Sequence, residues 1–147
     1  MTTVDQNQLS AQRAFFQSGR TQSDQFRREA LGKLRSAIEA HEEQIFAALE
    51  ADLGKGSFEA YTSEIGFVYQ EIRHAQKHLK RWMRPERVPT ALVSMPAKSY
   101  VERAPKGVVL IISPWNYPFQ LLMAPVVAAI AAGNALVLKP SELAPET

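Results

Sequence analysis

Two apolar runs separated by a proline-bounded helical stretch constrain this chain more than any other feature in it. Val108 to Ile112 are five consecutive apolar residues, with the length and β-branching of a strand buried on both faces. Ala135 to Leu138 repeats the pattern more briefly. Between them the sequence predicts a helix from about Pro118 to Ala132. Proline fits its first turn because the missing N–H would have no intrahelical partner there, and Gly133-Asn134 supplies a stop past its end. The result is a strand-helix-strand unit whose crossover is expected to be right-handed. That arrangement puts Ser113-Pro114-Trp115-Asn116 and Lys139-Pro140-Ser141-Glu142 just beyond the carboxyl ends of two parallel strands, where open α/β sheets hold ligands. Two strands alone would leave the sheet unfinished, with exposed edges.

Helices are predicted upstream. The first runs from about Asp5 to Ser18 and ends at Gly19, with Phe15 and Phe16 turned inward. A second starts at Thr21 or Ser23, either an acceptable N-cap, and carries Phe26, Ala30, Leu31, Leu34 and Ile38 on one face. A third holds Ile45, Phe46, Leu49 and Leu53, divided from the second by a bend near Ala40-His41 and closed by Gly54-Lys55-Gly56. A fourth, starting at Ser57 or Thr62 and reaching Met83, presents Ile65, Val68, Ile72, Ala75, Leu79 and Trp82 as an inward stripe. Pro85 ends it, and Pro85 to Pro96, with three prolines, reads as an extended linker. Ser99 to Arg103 is expected to form an extra strand, and Pro105-Lys106-Gly107 a turn.

The fold class is therefore α/β. Residues 1–97 are a helical region and linker, 98–106 an extra strand and turn, and 107–147 the start of an incomplete Rossmann-like parallel sheet. Seventeen Lys and Arg against 15 Asp and Glu give a net charge of +2, too small to imply a polyanion partner, and no nucleic-acid partner is expected. Met1 to Gln12 lacks the apolar core of a secretory signal, so the expected compartment is the cytoplasm. Phe119 to Ala132, interrupted by Gln120 and Pro125, falls short of the roughly 20 residues that span a bilayer. His74 and His78 stand four apart, as two metal ligands on a helix would, but no third ligand accompanies them and a solvated basic face explains them better. No metal is expected.

On the residues alone, Asn116 would cap a helix or stabilise a turn, and Lys139 would be a solvated lysine at a strand end. The motifs around them say more. Pro114-Trp115-Asn116-Tyr117-Pro118 and Lys139-Pro140-Ser141-Glu142 resemble two signature segments of the aldehyde dehydrogenase superfamily, in the right order and at a fitting separation. Phe16-Gln-Ser-Gly-Arg-Thr21 and Ala51-Asp-Leu-Gly-Lys55 resemble the amino-terminal helices of its class 3 branch, which acts on fatty and aromatic aldehydes. The resemblance covers essentially the whole chain.

That resemblance implies an NAD(P)-dependent oxidation of an aldehyde to its carboxylic acid, through a cysteine thiohemiacetal, hydride transfer and thioester hydrolysis. It implies that the Asn116 amide is an oxyanion donor, which suits the alkoxide-like oxygen formed when a thiolate adds to a carbonyl. Backbone groups from Ile112, Ser113, Pro114, Trp115 and Asn116 would line the nicotinamide side of the cleft, with Pro114, a packed Trp115 and Pro118 fixing the turn. Lys139 and Glu142, with Ser141 close by, would hold the adenosine ribose. A carboxylate accepts from ribose hydroxyls and repels a 2′-phosphate, whereas a lysine attracts one, so NAD is expected, with NADP as the alternative. No Gly-x-Gly-x-x-Gly follows Ile112, a departure expected for this family.

The family's cysteine nucleophile has no counterpart, because the sequence contains no cysteine. Its Glu-Leu-Gly-Gly general-base segment and its Gly-rich turn find no match either. The chain therefore reads as an amino-terminal fragment, inactive alone, of an enzyme expected to be a homodimer. Two alternatives stay open: part of an acyl-group reductase of the same superfamily, and a non-catalytic module that binds a nucleotide or associates with an intact subunit.

Overall fold

The computed structural model describes residues 6–147. Helix α1 (Gln6–Gln17) is followed by Gly19 in the left-handed conformation, while Asp5, the expected start, lies outside the described residues. Ser23 caps α2 (Asp24–Ala40), its Oγ accepting from the Phe26 N–H at 3.0 Å. His41 breaks the path before α3 (Glu42–Leu53), as the expected bend requires. The expected fourth helix comes in three pieces, α4 (Ser57–Ala60), a π turn over Tyr61–Ile65, and α5 (Gly66–Trp82). The N–H of Gly66 reaches the Tyr61 carbonyl, and a Cβ on Gly66 would stand 2.8 Å from that same oxygen. A glycine there is what admits the wider turn. The Thr62 and Ser63 hydroxyls donate to the Phe58 and Glu59 carbonyls that such a turn disturbs.

The α5 stripe is buried from Ile65 through Leu79 and joins Leu31 and Ile38 of α2, Leu49 of α3, and Phe119 and Val127 in one core. Trp82, expected to share it, instead lies at the surface, its ring 5.5 Å from His74 and 5.9 Å from His78. Its indole packs along the two imidazoles of its own helix instead of entering the core. Tyr69, at the edge of the core, donates to Glu42 Oε2 at 2.7 Å, and burial together with that carboxylate pushes the phenol well above its ordinary pKa.

Part of the expected linker is strand. β1 (Glu86–Val88) pairs antiparallel with β2 (Ser99–Val101), and Thr90 Oγ1 accepts the Ser99 N–H at 3.0 Å. Prolines flank the paired residues without interrupting them, which the proline count alone did not reveal. β3 (Val108–Ile112), α6 (Pro118–Ala131) and β4 (Ala135–Lys139) follow, and β3 pairs parallel with β4 from Val108↔Ala135 to Ile112↔Lys139. Burial of both faces of β3 is not observed. Ile111 packs on Val126 and Ala129 of α6, while Leu110 and Ile112, on the opposite face, are 52% and 65% exposed. The described residues supply a helical layer over one face of these positions and none over the other.

Asn134 does more than end α6. Its Oδ1 accepts the N–H groups of Lys106 and Gly107 at 2.7 and 3.0 Å, and its Nδ2 donates to the Ala129 carbonyl at 3.3 Å. One side chain thus ties the helix end to the start of β3. Asn134→Ala is expected to cost about 1–3 kcal/mol, by orphaning two backbone donors. Asn134→Asp, which keeps the acceptor, should cost less, as read from the midpoint of urea unfolding.

Candidate active site

Asn116 lies on the turn between β3 and α6, and Lys139 closes β4 beside it. The two strand ends are joined directly, the Ser113 N–H donating to the Lys139 carbonyl at 3.2 Å. The structure therefore brings Ser113 to Asn116 and Lys139 to Glu142 together at one sheet edge. Asn116 is exposed, and its side-chain amide has no hydrogen-bond partner among the described residues. It is free to meet an incoming group. Ser113 is buried, yet its Oγ also lacks a partner among the described residues. An orphaned hydroxyl beneath a ligand edge suits a polar ligand group better than an apolar one.

Pro118 is the first residue of α6 and is buried, which fixes the backbone exit of the turn. The packed indole does not hold, since Trp115 is half exposed and sits above the surface instead of inside it. Lys139 Nζ contacts Glu142 Oε1 at 2.7 Å, and that hydrogen bond holds the Glu142 carboxyl below its usual range. This edge therefore carries a preformed donor and acceptor side by side. These groups fit the sugar of a dinucleotide. Among the described residues no three His, Cys, Asp or Glu gather in a metal-binding arrangement, and His78 Nδ1 is engaged with the His74 carbonyl at 2.9 Å.

Behind the turn lies an ion pair that the sequence reading did not single out. Glu64, from the π turn, is completely buried; its Oε1 accepts from Lys55 Nζ at 2.5 Å. Glu64 Oε2 accepts the N–H groups of Phe119 and Gln120 at 2.9 and 3.1 Å. Lys55 Nζ also donates to the Asn116 carbonyl at 3.2 Å and lies 3.9 Å from the centre of the Tyr117 ring. Lys55 entered the sequence reading only within a motif, and Glu64 not at all. No local spacing marks either, because apart from each other their partners belong to an element far along the chain.

Helices feeding a parallel strand-helix-strand unit, with an exposed asparagine on the turn after its first strand and a lysine-carboxylate pair at the end of its second, define an α/β architecture of Rossmann-like type. Residues 2–147 match the model of the Aldehyde dehydrogenase family, and the chain belongs to that family. It is 46% identical over 139 residues to aldehyde dehydrogenase family 3 member H1 of Arabidopsis thaliana, covering 95% of this chain and 29% of that protein. It is 46% identical over 131 residues to a dimeric NADP-preferring aldehyde dehydrogenase of Canis lupus familiaris, covering 89% and 29%. The substrate-bound structure of Staphylococcus aureus AldH superposes with a TM-score of 0.94 at 45% identity, covering 99% of this chain and 32% of that one. The chain thus spans about three tenths of the length of the proteins it matches. Among the described residues no helix is long and apolar enough to cross a membrane.

Proposed function

We propose that this chain is the amino-terminal part of an NAD(P)-dependent enzyme that oxidises fatty or aromatic aldehydes to carboxylic acids, in the cytoplasm and as a homodimer. The observation that carries the reading is the exposed, unpartnered Asn116 amide at the carboxyl end of β3, beside the Lys139–Glu142 pair at the end of β4. Asn116 holds the carbonyl oxygen of the aldehyde as negative charge develops on it, and being neutral it needs no deprotonation to do so. Lys139, Ser141 and Glu142 bind the adenosine ribose, and the turn from Ile112 to Trp115 lines the nicotinamide side. The cofactor, when bound, accepts the hydride that leaves the aldehyde carbon. The cysteine nucleophile and the general base come from sequence beyond these residues.

The likeness to a class 3 relative and to a substrate-bound aldehyde dehydrogenase supports this assignment, and the pairing of Glu142 with Lys139 favours NAD. With a carboxylate at the ribose edge, a 2′-phosphate meets repulsion as well as attraction. The test is to incubate the full native protein with a medium-chain aliphatic aldehyde or benzaldehyde and either dinucleotide. Carboxylic acid should form in step with the reduced nucleotide, faster with NAD, and without coenzyme A. Product formation only when coenzyme A is supplied would instead assign an acyl-group reductase. Nucleotide binding with no aldehyde oxidation would assign the non-catalytic module.

A further inference from the structure

The geometry points to Lys55 and Glu64 as positioning residues for Asn116, a buried ion pair that sets the aim of the oxyanion donor without touching the substrate; the inference rests on the proposed role of Asn116. The starting point is that the Asn116 side chain has no partner of its own among the described residues. Its aim is therefore governed by its backbone. The one described side chain that grips that backbone is Lys55, whose Nζ donates to the Asn116 carbonyl at 3.2 Å and so restrains the peptide plane that follows the residue. The same ammonium lies over the Tyr117 ring at 3.9 Å, holding the next residue as well.

Lys55 is itself held. Glu64 takes it at 2.5 Å, and both side chains are withdrawn from solvent. The other oxygen of Glu64 accepts from Phe119 and Gln120 in the first turn of α6, while Tyr117, the capping residue of that helix, makes no side-chain cap. A carboxylate from another element thus supplies the missing cap, where the helix end favours negative charge. One buried pair grips the turn at two points, through the carbonyl of Asn116 and through the amides three and four residues later. The π turn aims Glu64 at this spot, since it inserts an extra residue between α4 and α5 just before the carboxylate is needed. A pair serving only stability could face any part of α6. This one takes the Asn116 carbonyl itself and the helix start that follows it.

Removing one charge alone strands the other in the interior, so loss of folding would obscure the result. The informative variant is Lys55→Met with Glu64→Gln, made in the full native protein. It removes both charges, keeps an amide oxygen as acceptor for α6, and removes the ammonium that donates to the Asn116 carbonyl. Folding is verified by near-ultraviolet circular dichroism and by unchanged nucleotide affinity. We expect kcat for aldehyde oxidation to fall about 10- to 100-fold, the scale of a misaimed catalytic group, with the KM for NAD little changed. The decisive arm repeats the pair of substitutions in an Asn116→Ala background, where a pair acting through Asn116 should cost kcat at most about two-fold. Full turnover in the charge-free variant overturns the inference, and so does an undiminished further loss in the Asn116→Ala background. Should the charge-free variant not fold, Lys55→Arg gives the same reading, with a fall in kcat that vanishes in the Asn116→Ala background expected and an additive one contrary. Normal turnover of Asn116→Ala alone would remove the functional reading itself, a result separate from the other two.

Discussion

Asn116→Ala in the full native protein should lower kcat for aldehyde oxidation by about 10² to 10³, the usual cost of removing one oxyanion donor. Nucleotide binding should survive, because the proposed ribose contacts lie on β4 and its following turn while Asn116 lies on the turn after β3. Asn116→Asp should be at least as damaging. It keeps the shape but replaces an N–H donor with an acceptor, and when ionised it places negative charge where negative charge must develop. Neither substitution is expected to unfold the protein. The side chain is exposed and makes no hydrogen bond with the described residues, so truncation empties no core and orphans no buried group. The check is steady-state kinetics with nucleotide affinity measured alongside. A variant that loses turnover while binding NAD as before supports the donor role, and unchanged turnover in either variant refutes it.

The parts of the fold that were legible in the sequence are those whose determinants are local. The capping Ser23, the left-handed Gly19 and the break at His41 each report on the few residues around them. The apolar runs of β3 and β4 and the Pro118 start of α6 do the same, and the two motifs then located Asn116 and Lys139 at one edge. What escaped notice depends on distant residues. The π turn looks like uninterrupted helix, because a lone Gly66 is tolerated within a helical pattern and its clash-avoiding role appears only once the Tyr61 carbonyl is in place. Strand β1 was hidden among prolines, since its pairing with β2 is fixed by a partner across the hairpin. The exposure of Leu110 and Ile112 has another origin. Their apolar character is suited to two covered faces, and the described residues cover one. Lys55 and Glu64 look like ordinary surface charges until α6 folds against them, and only then does burial turn them into a buried pair with three backbone partners.

A large effect on stability is expected at Gly133, which the sequence presented only as a helix stop. Its φ of +84° lies in the left-handed region, where an L-residue pays about 1–2 kcal/mol. The second cost is steric. A Cβ at this position would stand 2.4 Å from Arg27 Nη2, 2.6 Å from its Cζ and 2.8 Å from its Nε, so it would occupy the guanidinium's own space. Long side chains usually yield to such an intrusion, but this one is anchored. Arg27 is buried, its Nε donating to the Thr21 carbonyl at 2.9 Å and its Nη1 to the Ala131 carbonyl at 3.1 Å. Those bonds tie the turn before α2 to the last turn of α6. Moving the guanidinium would break them inside the protein, at about 1–3 kcal/mol for buried groups left unpaired. Gly133→Ala is therefore expected to destabilise the native protein by about 3 kcal/mol, read as a fall in its urea midpoint with the slope unchanged. A double-mutant cycle separates the two terms. In an Arg27→Met background the flexible apolar side chain can vacate the space, and Gly133→Ala should then cost only the conformational share, about 1–2 kcal/mol. An equal cost in both backgrounds would show that backbone conformation alone, and not the buried arginine, demands glycine there.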